Sequence, residues 1–321
     1  MHTLSEYLSI IEQRIKDLSY PAEPAGLYAP IKYVLDGGGK RIRPVLTLAT
    51  CEALGANPEV AVNQAMGVEM FHNFTLLHDD VMDHADMRRG RPTVHVKWDE
   101  RTAILSGDAM LTLSNMLMGM DCTDAQYRLV MKLANKTAME VYEGQQYDMD
   151  FEFRNDVSID DYLTMIRLKT AVLLGCACGM GVIMAGGDQR TAQAMYAYGE
   201  RLGLAFQLRD DYLDTYGDPI FFGKEIGGDI VNDKKTWLLI TALAEDTTGT
   251  IADEIQRPSE PNEKIERVRK VYDRLQLPLR CQQLIDSYVD AAVAQLDSVN
   301  MTPAAKNFFV QLAEQSRSRS H

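Results

Sequence analysis

Apolar residues recur every three or four positions along most of the chain, and this spacing restricts it to a fold built from helices. The pattern is clear from Met66 to Val81, where the apolar side chains would share one helix face. It continues through five further segments, at 101–120, 125–149, 159–186, 190–214 and 278–297. Alternating strand patterns of useful length are absent. The sequence therefore predicts an all-α protein.

Short segments rich in glycine, proline or charge interrupt the predicted helices, at 20–26, 35–44, 88–94, 216–232 and 256–264. None has the character of a long interdomain linker, and no repeat of fixed period occurs. We therefore expect a single domain over residues 1–321, with a disordered tail at 316–321.

Charge and cysteine usage narrow the functional classes. The net charge of −13 argues against a general nucleic-acid or anionic-membrane binder, so a bound anion must be held by a local basic cluster. The five cysteines form no CxxC pair, which favours a reducing compartment, here the cytoplasm. Residues 170–187 carry no charge, and their length is near the lower limit for a membrane span. No second span or aromatic belt accompanies them, so we predict a buried central helix and no membrane span.

Two segments, HDDVMD at 78–83 and RDDYLD at 209–214, place paired acids on one helix face. The pairs are four residues apart, and they are Asp79 with Asp83 and Asp210 with Asp214. Like charges at that spacing destabilise a helix by roughly 0.2–0.5 kcal/mol, so a structural role gives no reason to repeat them. Carboxylates on a rigid helix suit Mg²⁺, which binds one or two of them together with substrate phosphates.

A third segment, IDDYLTMI at 159–166, shares the DDYL core but has Thr164 in place of the last acid. We interpret this copy as a solvated acidic face. After the first motif, by contrast, Arg88 and Arg89 follow closely. Acids that bind metal, beside arginines that neutralise an anion, predict a diphosphate ligand.

With these motifs the chain resembles the trans-isoprenyl diphosphate synthases, also called the polyprenyl synthetase family. The resemblance extends from GGGKRIRP through LLHDDVMDHADMRRGRPTVH and FQLRDDYLDTYGD to GGDIVNDKKT. It implies the isoprenoid synthase fold, in which antiparallel helices surround a deep central cavity with the two aspartate motifs at its mouth. It also implies a homodimer.

The resemblance further implies a Mg²⁺ cluster, expected to hold three ions per active site, with Mn²⁺ as a substitute. The implied ligands are Asp79, Asp83 and Asp210, and the acids close by are Asp80, Asp211 and Asp214. The metal would hold the diphosphate of an allylic substrate. The basic residues implied to contact that diphosphate are Arg88, Lys169, Lys224 and Lys234.

The second substrate, isopentenyl diphosphate, binds no metal in this family, so side chains must neutralise it. The residues at the matching positions are Lys40, Arg43, His72 and Arg89. Taken alone, the basic residues at 40–43 would be interpreted as an exposed basic turn. Arg317 and Arg319 could close over this substrate, although a disordered basic tail is the simpler interpretation.

Departure of the diphosphate would leave an allylic carbocation, which the double bond of isopentenyl diphosphate attacks, so no side-chain nucleophile is required. The family positions that stabilise the cation correspond to Gln207, Thr170 and the carbonyl of Lys169. Gln145 and Asp148 match cavity-lining positions, with a helix–helix hydrogen bond as an equal alternative for Gln145. Residues 221–230 are expected to form a mobile lid that carries Lys224.

Residues one to two turns before Asp79 would form the floor of the cavity and set the product length. They are Thr75, Phe74 and Phe71. Long-chain members tend to have a small residue where Phe74 stands, so we expect a product of 15 to 20 carbons. The alternative is that Phe74 belongs only to the core.

Three other functions remain to be weighed. A class I terpene cyclase shares the fold, but it has no second diphosphate to bind, so GGGKRIRP argues against it. A non-catalytic subunit of a heteromeric synthase usually lacks acids from one motif, and both motifs are intact. A loose Ca²⁺ binder leaves the ordered basic motifs unexplained.

Overall fold

The computed structural model describes residues 1–217 and 226–318, and these residues are almost entirely helical. In chain order the helices are α1 (Leu4–Asp17), α2 (Ala25–Leu35), α3 (Ile42–Ala53), α4 (Val62–Met82), α5 (Val94–Lys97), α6 (Glu100–Gly119), α7 (Asp124–Glu152), α8 (Ile159–Ile166), α9 (Val172–Met184), α10 (Gln189–Tyr216), α11 (Gly228–Val231), α12 (Trp237–Glu245), α13 (Thr250–Gln256), α14 (Pro261–Arg274), α15 (Leu277–Gln295) and α16 (Pro303–Ser318). The predicted all-α class is confirmed.

Short non-α elements complete the description. One antiparallel hairpin pairs β1 (Met87–Arg88) with β2 (Arg91–Pro92). A π-helical turn at Arg167–Ala171 joins α8 to α9, so that helical structure runs without a break from Ile159 to Met184. Turns of 3₁₀ helix occupy Pro58–Ala61 and Leu296–Ser298.

The first of two compact units comprises Met1–Thr137, Leu173–Tyr196 and Ser298–Phe308. Helices α4 and α6 pack along each other at its centre, and α2 and α3 both contact α4. Gly67 on α4 permits this approach, because a side chain there would collide with the backbone of Met118. The first aspartate motif therefore lies at the end of a helix that is held along its length.

The second unit comprises Ala138–Val172, Ala197–Asp297 and Phe309–His321. Within it, α12 packs against α15, and α14 contacts both α11 and α15. This unit contains the second aspartate motif, on α10, and the π-helical turn. The prediction of a single domain remains a prediction.

The uncharged segment behaves as a core helix. The region Ile159–Met184 is long and apolar enough to cross a membrane, but 78% of its most apolar window is buried inside the protein. Every residue from Ala171 to Met180 is buried. All five cysteines are free, and four of them are buried.

The chain end differs from the predicted tail. Helix α16 continues to Ser318, so it includes the first residues of the segment 316–321. The guanidinium of Arg209 donates to the carbonyl oxygens of Ser316 and Arg317 near the end of this helix. Arg317 itself forms an ion pair of 2.5 Å with Asp290. Arg319 lies outside the described residues.

Candidate active site

The first aspartate motif coincides with the C-terminus of α4. Asp79 and Asp80 lie in its last turn, and Asp83 is the capping residue. His84 adopts a left-handed backbone (φ 50°), and the N–H of Ala85 donates to the carbonyl of Asp80, which closes the helix in a Schellman-type cap. The motif therefore stands where the chain leaves the core, with the side chain of Asp83 exposed.

The hairpin after α4 returns an arginine to these acids. Arg89 and Gly90, with φ of 52° and 71°, form a two-residue loop of the type I′ kind that suits tight hairpins. Arg88, on β1, then points its guanidinium back to α4. Its Nε donates to Asp80 Oδ1 at 2.6 Å, and its Nη2 donates to Asp79 Oδ2 at 3.2 Å. One arginine thus bridges two acids of the motif.

Burial and Arg88 shift the pKa of Asp80 in opposite directions. Burial raises the pKa of its carboxyl above the usual value, and the charge and hydrogen bond of Arg88 offset only part of that rise. Arg88 therefore favours the ionised form of Asp80, which is buried next to a second acid, Asp79.

Arg89 contacts the glycine-rich loop that precedes α3. Its Nη1 donates to the carbonyl oxygen of Gly38, and its guanidinium packs on Gly39. Lys40 is exposed in the same loop. Arg88 and Arg89 also line a small cavity of about 40 Å³ next to this loop. The structure thus places Arg89 against the loop that contains Lys40, another of the predicted isopentenyl diphosphate residues.

Arg41 departs from the basic turn considered in the sequence. It is buried, and its guanidinium contacts Glu69 at 2.7 Å, Glu12 at 2.9 Å and the carbonyl oxygen of Leu35 at 2.7 Å. The Arg41 guanidinium therefore anchors the loop to α1, α2 and α4.

Arg43 and His72 form the other part of this basic cluster. Arg43 Nη1 lies 3.2 Å from His72 Nε2, and a guanidinium can only donate, so Nε2 accepts. Burial and the positive charges of Arg43, Arg89 and Arg88 lower the pKa of His72 well below its usual value. His72 is therefore neutral and can bind an anion only as a hydrogen-bond donor.

The three predicted chain-length residues lie on α4, one to two turns before Asp79. Phe71 and Phe74 are buried and pack edge to face at 5.5 Å between ring centres. Phe74 also packs against His78 at 4.8 Å. Thr75 is partly exposed and donates its hydroxyl to the carbonyl of His72 at 2.8 Å. Their role in product length stays a prediction.

The second motif lies on α10, which packs closely on the π-helical turn. Gly203 permits this packing, because a side chain there would collide with the backbone of Ala171, and Gly144 permits the equally close approach of α7 to the backbone of Lys169. The widened turn holds Lys169 and Thr170. Sequence reasoning identified both residues but not the π-helix, which is common at functional sites.

A chain of hydrogen bonds connects this turn to the motif. The Thr170 hydroxyl donates to Gln207 Oε1 at 3.0 Å, and Gln207 Nε2 donates to Asp211 Oδ1 at 2.9 Å. Asp211 is only 6% exposed, and its other oxygen accepts the Tyr162 hydroxyl at 2.6 Å. Burial, with the charge of Asp229, raises the pKa of Asp211 to about 7.

Lys169 forms an ion pair with an acid on α7. Its Nζ lies 2.5 Å from Asp148 Oδ2 on α7. Burial opposes the charged form of Asp148, but the charges of Lys234 and Lys169 and the hydrogen bond from Lys169 outweigh it, so the pKa of Asp148 is lowered. Gln145, one turn earlier on α7, is partly exposed.

The segment after the motif is fastened to Asp214. The N–H of Gly227 donates to its carbonyl oxygen at 2.6 Å, and the N–H of Asp229 donates to its Oδ2 at 2.9 Å. Asp210 is partly exposed. Lys224 and the first half of the predicted lid, residues 221–225, lie outside the described residues.

These carboxylates fit Mg²⁺. Within residues 1–217 and 226–318, no three His, Cys, Asp or Glu side chains are arranged to hold a metal ion by themselves. Mg²⁺ does not need such a cage, because it binds through one or two carboxylates, several waters and substrate phosphates. The carboxylates of Asp79, Asp83 and Asp210 are each at least partly exposed, so water and a phosphate could complete the coordination of an ion bound there.

Two residues of this region were not found by sequence reasoning. Tyr162 belongs to the segment interpreted as a solvated acidic face, and only its apolar spacing pointed inward. Of the acids in that segment, Asp161 forms a capping box with Ser158, whereas Asp160 is exposed as predicted. Asp229 lies in GGDIVNDKKT, where the signal was present but no role was assigned.

Comparison with known proteins adds independent findings. A family model described as polyprenyl synthetase matches residues 24–275. A geranylgeranyl pyrophosphate synthase of Geoglobus acetivorans is 35% identical over 321 residues, 99% of this chain and 98% of that protein. A geranylfarnesyl diphosphate synthase of Natronomonas pharaonis is 35% identical over 271 residues, 78% and 79% of the respective chains. The crystal structure of a geranylgeranyl pyrophosphate synthase is 44% identical, with a TM-score of 0.95 and 100% coverage of both chains.

Proposed function

The chain belongs to the polyprenyl synthetase family of trans-prenyltransferases, and we propose that it condenses isopentenyl diphosphate head-to-tail with an allylic diphosphate in a Mg²⁺-dependent reaction. The observation that carries the proposal is the group of acids at the end of α4 that Arg88 bridges. Acids and a bidentate cation side by side suit a metal-bound diphosphate better than either sign alone.

We assign Asp79, Asp83 and Asp210 as the residues that hold Mg²⁺. When bound, the metal acts as a Lewis acid that stabilises the departing diphosphate. Arg88 and Lys169 neutralise further oxygens of the same group. Both cations are held by acids in this structure, at 2.6 Å and 2.5 Å, so each must turn from its acid toward the diphosphate.

Isopentenyl diphosphate is assigned to the basic cluster of Lys40, Arg43, His72 and Arg89. In the reaction the C–O bond of the allylic substrate breaks, and the diphosphate leaves with the electron pair. The double bond of isopentenyl diphosphate forms the new C–C bond, and a proton is then lost to the released diphosphate. Thr170 and Gln207 supply dipoles that stabilise the transient cation.

We propose a product of 15 to 20 carbons, with Phe74 as the floor of the chain-length cavity. Its ring is buried and packed between Phe71 and His78, so it cannot move aside freely. The proteins similar to this chain include farnesyl, geranylgeranyl and geranylfarnesyl diphosphate synthases, so a small change in the cavity floor is enough to move the product within this range.

We also propose a homodimer in the cytoplasm. Exposed residues on and after α7 recur at intervals of three and four, at Met139, Tyr142, Gln146, Met149 and Phe153. Phe153 is 87% exposed. This spacing is that of a helix–helix seam, which a second copy would cover. Light scattering should give twice the chain mass, and Met149→Glu should reduce it.

The cytoplasmic location is supported by the five cysteines, all of which are free, as expected in a reducing compartment.

The reaction is tested by incubating the protein with Mg²⁺, isopentenyl diphosphate and each of dimethylallyl, geranyl and farnesyl diphosphate. Products are dephosphorylated and sized by chromatography, with a Phe74→Ala variant beside the parent. A parent product of 15 or 20 carbons that lengthens in the variant supports both reaction and floor.

An unchanged product would retain the reaction and move the floor to another residue, such as Phe71. Absence of metal-dependent elongation from all three starters would contradict the proposed function and favour the non-catalytic subunit. The control is chelation with EDTA, which should abolish product formation.

A further inference from the structure

Tyr162 is a buried side chain whose hydroxyl is directed at the second aspartate motif. It lies on α8, is 1% exposed, and donates to Oδ2 of Asp211 at 2.6 Å. This length is typical of a hydrogen bond from a hydroxyl to a carboxylate, which is about twice as strong as a bond between neutral groups. The family resemblance assigned no role to this residue.

Asp211 connects Tyr162 to the residues that face the carbocation in the proposed reaction. Its Oδ1 accepts from Nε2 of Gln207 at 2.9 Å, and Oε1 of Gln207 accepts from the Thr170 hydroxyl at 3.0 Å. In its ionised form Asp211 only accepts hydrogen bonds, so Gln207 turns its nitrogen to Asp211 and its oxygen to Thr170. Asp211 therefore sets the direction of the hydrogen bonds that connect Tyr162, Gln207 and Thr170.

The direction matters at Thr170. Because its only hydroxyl proton is given to Gln207, its oxygen has lone pairs left for another neighbour. Lone pairs stabilise a transient positive charge, whereas an outward O–H dipole would oppose it. The π-helical turn holds the threonine backbone in place, so the remaining freedom is the rotation of the hydroxyl, which Gln207 fixes.

We infer that Tyr162 is a positioning residue for prenyl transfer, which orients Gln207 and Thr170 through Asp211. This inference rests on the proposed function and adds a residue to it. Without the hydroxyl, Asp211 loses the anchor of one oxygen and can rotate, so the amide of Gln207 no longer has a single orientation. The loss falls on the cation-forming step, because Tyr162 acts through Asp211 and not by contact with substrate.

The test compares the parent with Tyr162→Phe and with a matched control, Tyr198→Phe. Tyr198 is equally buried, and its hydroxyl donates at 2.7 Å to the carbonyl of Phe309, far in sequence from the motif. We expect Tyr162→Phe to lower kcat about tenfold while KM for both substrates stays within about twofold. Tyr198→Phe should leave kcat within about twofold, and melting temperatures establish that both variants fold.

A double-mutant cycle separates positioning from general packing. In a Gln207→Leu background the hydrogen bonds between Asp211 and Thr170 are already lost. Adding Tyr162→Phe should therefore lower kcat by less than about twofold. A tenfold loss in both backgrounds would mean that the hydroxyl acts independently of Gln207 and would overturn the inference. Should Tyr162→Phe not fold, Asp211→Asn replaces it in the same cycle, since an amide cannot accept from both donors.

The possible failures are distinguishable. An active parent whose kcat is unchanged by Tyr162→Phe overturns the positioning role alone. A parent inactive with every allylic starter overturns the proposed function, and the positioning role with it.

Discussion

The second acid of each aspartate motif occupies the same sequence position but has different partners. Asp80 pairs with Arg88, a cation that is 31% exposed and reaches it from a neighbouring hairpin. Asp211 is buried among neutral donors, Tyr162 and Gln207. Burial raises the pKa of both acids. The comparison indicates that the surroundings of the middle acid differ between the two motifs, with a cation beside Asp80 and uncharged hydrogen-bond donors beside Asp211.

The largest expected effect is common to both motifs and tests the shared part of the comparison. Asp79→Ala and Asp210→Ala should each lower kcat by about 10³-fold or more, because each removes a proposed metal ligand, and the loss of metal assistance costs several kcal/mol at the transition state. Steady-state rates are measured at saturating Mg²⁺, with calorimetric binding of inorganic diphosphate in the presence and absence of the metal. Retention of metal-dependent diphosphate binding in either variant would contradict the assignment.

The next effect distinguishes the middle acids. Asp211→Asn should reduce the free energy of unfolding by about 1–3 kcal/mol, because the amide leaves one buried donor without an acceptor. Asp80→Asn should cost about 1 kcal/mol or less, since water can reach the partly exposed Arg88. Urea unfolding of both variants in EDTA gives the values. A larger loss for Asp80→Asn would reverse the comparison and make the ion pair the stronger structural element.

A third effect tests the cationic surroundings of the first motif. The pKa of His72 is lowered in the folded protein, whereas the unfolded chain takes up a proton near the ordinary value of about 6.5. The unfolded state therefore binds more protons below about pH 6.5, so stability is retained above that pH and lost as pH falls.

His72→Gln removes this proton uptake while keeping a neutral side chain. We expect the parent to lose up to about 1.4 kcal/mol more per pH unit than the variant below pH 6.5. Melting temperatures of both proteins between about pH 8 and pH 5 provide the measurement. Parallel curves would indicate that His72 titrates equally in the folded and unfolded states.

Much of the fold could be predicted from the sequence, because its signals are local. The apolar spacing located α4, α6 and α10, and the predicted break at 216–232 begins where α10 ends. The π-helical turn could not be predicted, since it depends on the close approach permitted by Gly144 and Gly203 from distant parts of the chain.

The site shows the same division between local and distant determinants. Paired acids at a spacing of four are a local signal, and they identified both motifs. The burial of Arg41 depends on Glu69 and Glu12, which the spacing of GGGKRIRP cannot reveal. The partner of Asp211 comes from a segment 49 residues away, so no motif around RDDYLD could indicate it.

The smallest expected effect concerns that segment, IDDYLTMI at 159–166. Its acids begin α8, where Asp161 accepts from the Ser158 backbone at 3.1 Å and its own N–H donates to the Ser158 hydroxyl at 3.1 Å. Asp161→Ala should therefore reduce the free energy of unfolding by about 0.5–2 kcal/mol through loss of the cap. Asp160→Ala, at an exposed position, should change it by less than about 0.5 kcal/mol.

Neither variant should change kcat or either KM by more than about twofold, because these acids hold a helix end and no ligand. Tyr162, in the same tetrapeptide, is the comparison, because its hydroxyl donates to Asp211 of the second motif and its loss is expected to lower kcat. Steady-state kinetics and urea unfolding on the same preparations separate the two readouts. A large fall in kcat for Asp161→Ala with little loss of stability would contradict this expectation. It would indicate that the N-terminal cap of α8 also helps to position Tyr162 against Asp211.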